Sequence, residues 1–237
     1  MSTRPTEDIA GAGYHHGRLA TVVGRELGSD PDWKSFADTW NRLLVDEYMA
    51  DGGTYRYRRY SEFECTAAGY RPLPHVPYAQ PVDVNYLNGG IARHYRPFEP
   101  EAAGSPILAE LISWAVGVLD ALKGPSVWKM QSFQNRIYAR RGALGKPTPE
   151  GVHRDGVDYV IAMLVDRSNV KGGDSGLYSP DRERLRTIVM TEPGELIFND
   201  DAATTHGVRP LTLGPLAGDG YRDVLIAMFT RHGPLAG

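Results

Sequence analysis

His153 and Asp155 stand one residue apart in the run His153-Arg154-Asp155. In an extended segment, positions i and i+2 point to the same face, so imidazole and carboxylate can meet one ion. The pair precedes the apolar run Val157-Asp158-Tyr159-Val160-Ile161-Ala162-Met163-Leu164-Val165, which reads as a strand. A third ligand candidate, His206, follows another apolar run, Glu195-Leu196-Ile197-Phe198, and leads into Gly207-Val208. The His-x-Asp spacing alone is a weak signal, and its place between strands is what raises it. Two imidazoles and one carboxylate leave half of an octahedral sphere open, the arrangement of non-haem Fe(II) oxygenases. A 2-oxo acid can chelate through two open positions and dioxygen can take the third. A four-ligand, cysteine-rich site would close the metal and suit a structural role.

If the 2-oxo acid is 2-oxoglutarate, its far carboxylate needs a fixed cation. Arg222 opens the last strand, on one face with Val224, Ile226 and Met228. A guanidinium there can bind a carboxylate bidentately. The plain alternative is a surface pair with Asp223 or Asp219. Arg209 competes for the role, but it would face away from His206 in a regular strand. On the predicted strand Met130–Arg140, Gln134, Arg136 and Tyr138 alternate with Phe133, Asn135 and Ile137. One set is expected to line the interior. Tyr138 and Gln134 are the candidates to donate to co-substrate or substrate.

The other elements must hold these groups in place. Asp30-Pro31 reads as a helix start, and Trp33, Phe36, Trp40, Leu43, Leu44 and Tyr48 recur at helical spacing up to Asp51-Gly52-Gly53. That aromatic stripe is expected to be core. Thr54 to Cys65 reads as a strand. Its arginines are expected to be solvated. The alternative places one of them in a site, holding a carboxylate. Residues 72–100 are proline-rich loops or edge strands, with a turn at Asn88-Gly89-Gly90. A second helix opens at Ser105-Pro106 and stops at Gly124-Pro125, with an apolar face wide enough to lie flat on a sheet. Beyond Pro125 short strands follow, including Arg186–Thr191 and Tyr221–Thr230, separated by turns such as Gly172–Gly176. This texture suggests a sandwich, barrel or jelly roll.

The chain has 237 residues, of which 41% are hydrophobic and 23% charged, so it suits one globular domain. Residues 1–29 show no period and are expected to be a flexible arm. Residues 30–237 are expected to be a single domain, with helical and mixed support over 30–125 and the barrel core over 126–237. No window approaches 18 apolar residues, so no membrane span is expected. Met1 to Ala10 carries Arg4, Glu7 and Asp8, unlike a secretory signal, and the location expected is cytoplasmic. The single cysteine, Cys65, excludes an internal disulfide and reads as a buried small hydrophobe. A net charge of −3 gives no reason to expect nucleic acid as a partner. A homodimer through the helical N-terminal third remains open.

The run Pro149-Glu150-Gly151-Val152-His153-Arg154-Asp155-Gly156-Val157-Asp158, followed by Gly172-Gly173, His206-Gly207-Val208 and Tyr221-Arg222-Asp223-Val224-Leu225, resembles a known family. It is similar to the bacterial 2-oxoglutarate/Fe(II) dioxygenases that include L-isoleucine 4-hydroxylases and related free amino-acid hydroxylases. The resemblance covers roughly residues 30–232, with specific motifs from about 130 onward. It implies a mainly β fold with packed helices, a double-stranded β-helix (jelly roll, cupin-like). It implies iron ligation by His153, Asp155 and His206, and 2-oxoglutarate held by a basic residue of the last strand, here Arg222. Fe(II), 2-oxoglutarate and O2 are then the cofactors, with ascorbate expected to stimulate. The implied substrate is a small free amino acid, whose carboxylate and ammonium would need partners from a set that includes Arg154, Arg136, Arg93 and Asp158. A peptidyl or carrier-bound substrate, or a barrel that binds a metal without turnover, are the alternatives. His75, His94 and His232 are expected to be structural, and Asp158, Asp200 and Asp201 to be turn formers or supports for the ligands.

Overall fold

The computed structural model of the protein describes residues 4–81 and 89–234. The first half runs α1 (Pro5–Ala12), β1 (Tyr14–Arg18), α2 (Leu19–Val23), α3 (Pro31–Asp38), a 3-10 turn (Thr39–Arg42), β2 (Leu44–Val45), β3 (Arg56–Thr66), β4 (Gly69–Pro72), α4 (Pro100–Ala103) and α5 (Pro106–Lys123). The second half is all strand: β5 (Ser126–Ala139), β6 (Tyr159–Ser168), β7 (Val170–Gly172), β8 (Ser175–Tyr178), β9 (Arg184–Ile188), β10 (Glu195–Asp200), β11 (Thr205–Val208), β12 (Leu211–Leu213) and β13 (Gly220–Pro234). Of the turn expected at Asn88-Gly89-Gly90, Asn88 lies outside the described residues.

Eight strands form one large antiparallel sheet in the order β1-β10-β6-β13-β5-β3-β2, with β4 added to β3. A three-stranded sheet, β11-β8-β9, and the pair β12-β7 stand apart from it. The barrel expected from the sequence is therefore not closed; separate sheets enclose the interior instead.

Side-chain alternation decides what each face of the large sheet meets. Along β13, Leu225, Ala227 and Phe229 join the core shared with the helices. Arg222, Val224, Ile226 and Met228 point the other way, into a cavity. The helical side is sealed by α5, which starts where Ser105 Oγ accepts the Ile107 amide and Pro106 takes the first turn. Leu108, Leu111, Ala115 and Leu119 of α5 are fully buried, each leucine contributing roughly 1.5–3 kcal/mol at most. The segment Pro100–Lys123 does meet the length and hydropathy of a membrane-crossing helix, contrary to the sequence expectation. Here its apolar side is spent on the sheet.

Three further expectations change. The N-terminal arm is built into the fold, because β1 pairs with β10 from Tyr14↔Asn199 to Arg18↔Glu195. One imidazole-carboxylate contact fastens it, His16 Nε2 to Glu195 at 2.8 Å, while His15 Nδ1 meets Asp8 at 2.7 Å within the segment itself. The helix read from Pro31 to Tyr48 ends at Asp38 and passes through the 3-10 turn into β2. Thr39 is buried there, donating its hydroxyl to the Phe36 carbonyl and accepting Gln134 Nε2. The strand placed at Arg186–Thr191 is Arg184–Ile188. The aromatic stripe Trp33, Phe36 and Trp40 is core, as its spacing predicts.

Candidate active site

His153 lies in the loop before β6 and His206 on β11, and their backbones bond each other in both directions, at 2.9 and 3.0 Å. This bridge brings two residues far apart in sequence side by side, with ring centroids 4.6 Å apart. Asp155 completes the cluster. One ligand atom from each of the three lies within 4.8 Å of the others. His206 Nε2 is 3.4 Å from Asp155 Oδ2, and His153 Nε2 is 3.7 Å from Asp155 Oδ1. Those separations exceed those of hydrogen-bonded ion pairs and suit donors that share one cation. His153 Nδ1 is 3.0 Å from the Gly151 carbonyl, which orients the ring with Nε2 toward the carboxylate. The donor set, two imidazoles and a carboxylate, fits ferrous iron.

Burial alone would raise the Asp155 pKa, but His153, His206 and Arg58 outweigh it and hold the carboxylate below its usual range. Burial works against a charged His153 too, yet Asp155 and Glu150 push its pKa up to about 9. His206 moves the opposite way, lowered by burial and by the neighbouring His153. The surroundings thus favour the charged form of Asp155 and disfavour the charged form of His206.

Asp201 fixes the loop that carries this pair. It is 1% exposed, and its carboxylate accepts the amides of Asp155 at 3.1 Å, Gly156 at 2.8 Å and Val157 at 3.3 Å. Of the two roles the sequence allowed Asp201, turn former or support for an imidazole, the amide bonds give it the first. Asp201→Asn turns one acceptor oxygen into a donor facing those amides. Its expected effect is a metal affinity about 10- to 100-fold weaker, read by metal titration of the folded variant.

Arg222 enters the same cavity from β13 and is 3% exposed. It makes no ion pair among the described residues, and its Nε is buried without a partner. The surface pairing considered from the sequence does not occur. Asp223 accepts Arg136 Nε and Nη2 at 2.7 and 2.6 Å, and Asp219 accepts Arg140 Nε at 3.0 Å. Burial lowers the Arg222 pKa to about 10, helped by Arg167 on the neighbouring strand. Arg167 itself is occupied by the carbonyls of Met190, Val170 and Gly172.

Gly173 leaves room for Arg222. Its φ is +76°, and an added Cβ would lie 2.7 Å from Leu211 Cδ2 and 3.2 Å from Arg222 Cδ. Gly173→Ala is expected to cost about 1–3 kcal/mol in stability through the strained backbone. Thermal unfolding measures that loss, and a raised KM for 2-oxoglutarate would accompany it.

Gln134 and Tyr138 do not reach the cavity, which corrects their assignment as co-substrate donors. Both lie on the helical side of β5. Gln134 is fully buried and donates to Thr39, while Tyr138 packs edge-on against Tyr57 and Tyr221. The other parity of β5, Phe133, Asn135 and Ile137, lines the cavity. Of the four groups considered for the substrate, Arg93 alone lines it. Arg136 is paired with Asp223, Arg154 donates to the Ala202 carbonyl, and Asp158 accepts the Arg231 amide. Arg56 and Arg58, expected mainly in solvent, are 5% and 8% exposed and face inward. Their signal was the two-residue alternation Arg56-x-Arg58-x-Tyr60, which puts all three on one face.

The profile of the 2OG-Fe dioxygenase family matches residues 37–228. A solved structure of a bsmA homolog from Methylobium petroleophilum PM1 superposes with a TM-score of 0.86 at 28% identity, covering 98% of this chain and 94% of that one. IDO from Bacillus thuringiensis gives a TM-score of 0.80 at 18% identity, over 96% of this chain and 98% of that one. The Fe(II)/(alpha)ketoglutarate-dependent dioxygenase TqaL shares the fold, with a TM-score of 0.68 at 14% identity over 97% and 87% of the two chains. Part of the sequence is 28% identical to the bifunctional enzyme flvA of Aspergillus flavus, over 44% of this chain and only 14% of that protein. The jelly-roll fold, the His-Asp-His cluster and the family match agree: the chain belongs to the 2OG-Fe dioxygenase family, an oxidoreductase group that uses Fe(II), 2-oxoglutarate and O2.

Proposed function

We propose that this oxygenase hydroxylates an aliphatic C–H of a small free L-amino acid, releasing succinate and carbon dioxide. The observation that carries the reading is one cavity that joins the His-Asp-His cluster, a lone buried arginine and a second, apolar and cationic region. When bound, Fe(II) with 2-oxoglutarate and dioxygen supplies the oxidising power for C–H hydroxylation.

The residues of the chain divide the remaining work. His153, Asp155 and His206 hold the metal and leave the rest of its sphere to co-substrate and oxygen. Arg222 fixes the distal carboxylate of 2-oxoglutarate, gaining the anion that its burial requires. Val224, Ile226 and Leu177 wall this part of the cavity and exclude water. Across the sheet, Phe133 and Met228 give an apolar surface against which a short aliphatic side chain can be positioned. A screen of free L-amino acids with Fe(II), 2-oxoglutarate and ascorbate, read by mass spectrometry, tests this directly. The expected result is a product heavier by one oxygen atom from at least one of them. Oxidation confined to peptides or carrier-bound residues would overturn the reading.

A further inference from the structure

The cavity carries more buried positive charge than the co-substrate uses. Arg56, Arg58, Arg93 and Arg222 line it, and none exceeds 8% exposure. Asp46 is the carboxylate that meets the first two. Its Oδ2 accepts Arg56 Nε at 2.7 Å and stands 3.3 Å from Arg58 Nε, out of line for a hydrogen bond. The Asp46 carboxylate also accepts the Tyr95 hydroxyl and the Tyr48 amide. Among the described residues Asp46, already fully engaged, is the one carboxylate in contact with Arg56 and Arg58; Asp155 and Glu150 act on them from a greater distance, at the His-Asp-His cluster. Arg93 has no carboxylate partner among the described residues; it donates to the neutral Gln80 Oε1 at 3.1 Å, and its Nε is buried without a partner. A buried cation that lacks an anion is strongly unfavourable unless a ligand supplies one.

Arg58 and Arg93 are also held rigidly. The Arg58 guanidinium lies 4.7 Å from the Phe133 ring centroid and 5.3 Å from that of Tyr95. Arg93 lies 4.7 Å from the Tyr78 centroid, and the Tyr78 and Phe133 rings are themselves 4.8 Å apart. One continuous aromatic wall thus carries both guanidiniums. Stacking fixes their planes while leaving donors at their edges. Arg222 is on β13, two strands away from Arg58 on β3, so the two cationic regions are separate. Across β5 the residue in register with Arg222 is Arg56, two residues before Arg58, so at about 4.8 Å per strand and 3.3 Å per residue the Arg58 and Arg222 backbones lie roughly 12 Å apart.

We propose that Arg58 and Arg93 form the carboxylate site for the substrate, and that a negatively charged group at this end is required for hydroxylation. This deepens the amino-acid reading and rests on it for the identity of the substrate.

Two measurements test the proposal. In the first, each aliphatic L-amino acid is compared with its primary amide as a substrate. Acids should be hydroxylated and amides should not. Arg93→Gln should raise the KM for the amino acid about tenfold or more and leave the KM for 2-oxoglutarate within twofold, with partial recovery in Arg93→Lys. Amides turned over as well as acids, or an equal rise in both constants, would overturn it. The second measurement needs no turnover. Protein loaded with Mn(II) and 2-oxoglutarate is titrated calorimetrically with 4-methylpentanoate and with 4-methylpentanamide. The carboxylate should bind at least about tenfold tighter than the amide, and Arg93→Gln should abolish the difference. If the two bind alike, the carboxylate site is wrong. If the preference holds while no amino acid yields product, the site stands and the amino-acid reading fails.

Discussion

Asp155→Ala is expected to reduce succinate formation to background while the protein still folds. The carboxylate is the one anionic donor in the His-Asp-His cluster, and without it two imidazoles remain on a ferrous ion. The backbone bridge between His153 and His206 does not involve the Asp155 side chain, so the two rings stay adjacent. The three amide bonds to Asp201 also survive, because they use main-chain donors. Circular dichroism and thermal unfolding of the variant should therefore resemble the wild type, with a shift no larger than a few degrees. His153→Ala and His206→Ala should match its loss of activity. Succinate production by Asp155→Ala at a substantial fraction of the wild-type rate would remove Asp155 from the metal site.

Arg222→Met is expected to raise the KM for 2-oxoglutarate about 10- to 100-fold, the range for losing a charge-assisted contact. The same change should leave the ligand-free protein as stable as the wild type, or more stable. Arg222 is buried with an unpaired Nε and no ion pair among the described residues, so an apolar side chain of similar length removes an uncompensated cation. This opposition, weaker co-substrate binding with undiminished stability, marks a residue kept for a ligand. A structural arginine such as Arg136, whose pair with Asp223 is buried, should behave otherwise and lose roughly 3–5 kcal/mol when truncated. An unchanged KM in Arg222→Met would assign the anchor elsewhere on the cavity wall.

The parts of this site that were legible in the sequence are those set by local geometry. The i, i+2 spacing of His153 and Asp155 put both on one face, and the pattern Arg222, Val224, Ile226, Met228 told which side chains of β13 travel together. Alternation does not say which face is inside. On β5 the polar set Gln134, Arg136, Tyr138 was as plausible an interior as Phe133, Asn135, Ile137, and only the packing of α5 and the 3-10 turn on that sheet decides. Arg56 and Arg58 were hidden by the general rule that charge runs face water. Their burial depends on Asp46, which no spacing connects to them. The N-terminal strand was hidden for a related reason. Tyr14-His15-His16-Gly17-Arg18 has no apolar period, and its partner β10 lies at the other end of the chain. The helix at Pro31 was read too long because Trp40, Leu43 and Tyr48 keep a helical spacing after the backbone has turned toward β2.

Central to the whole account is that residues 153, 155 and 206 hold a single ferrous ion. The most direct measurement is metal content after anaerobic equilibrium dialysis against Fe(II), for the wild type and for His153→Ala, Asp155→Ala and His206→Ala. One iron per chain in the wild type, and a comparable loss in all three variants, is the predicted result. Retention of a full equivalent by any of the three would contradict it.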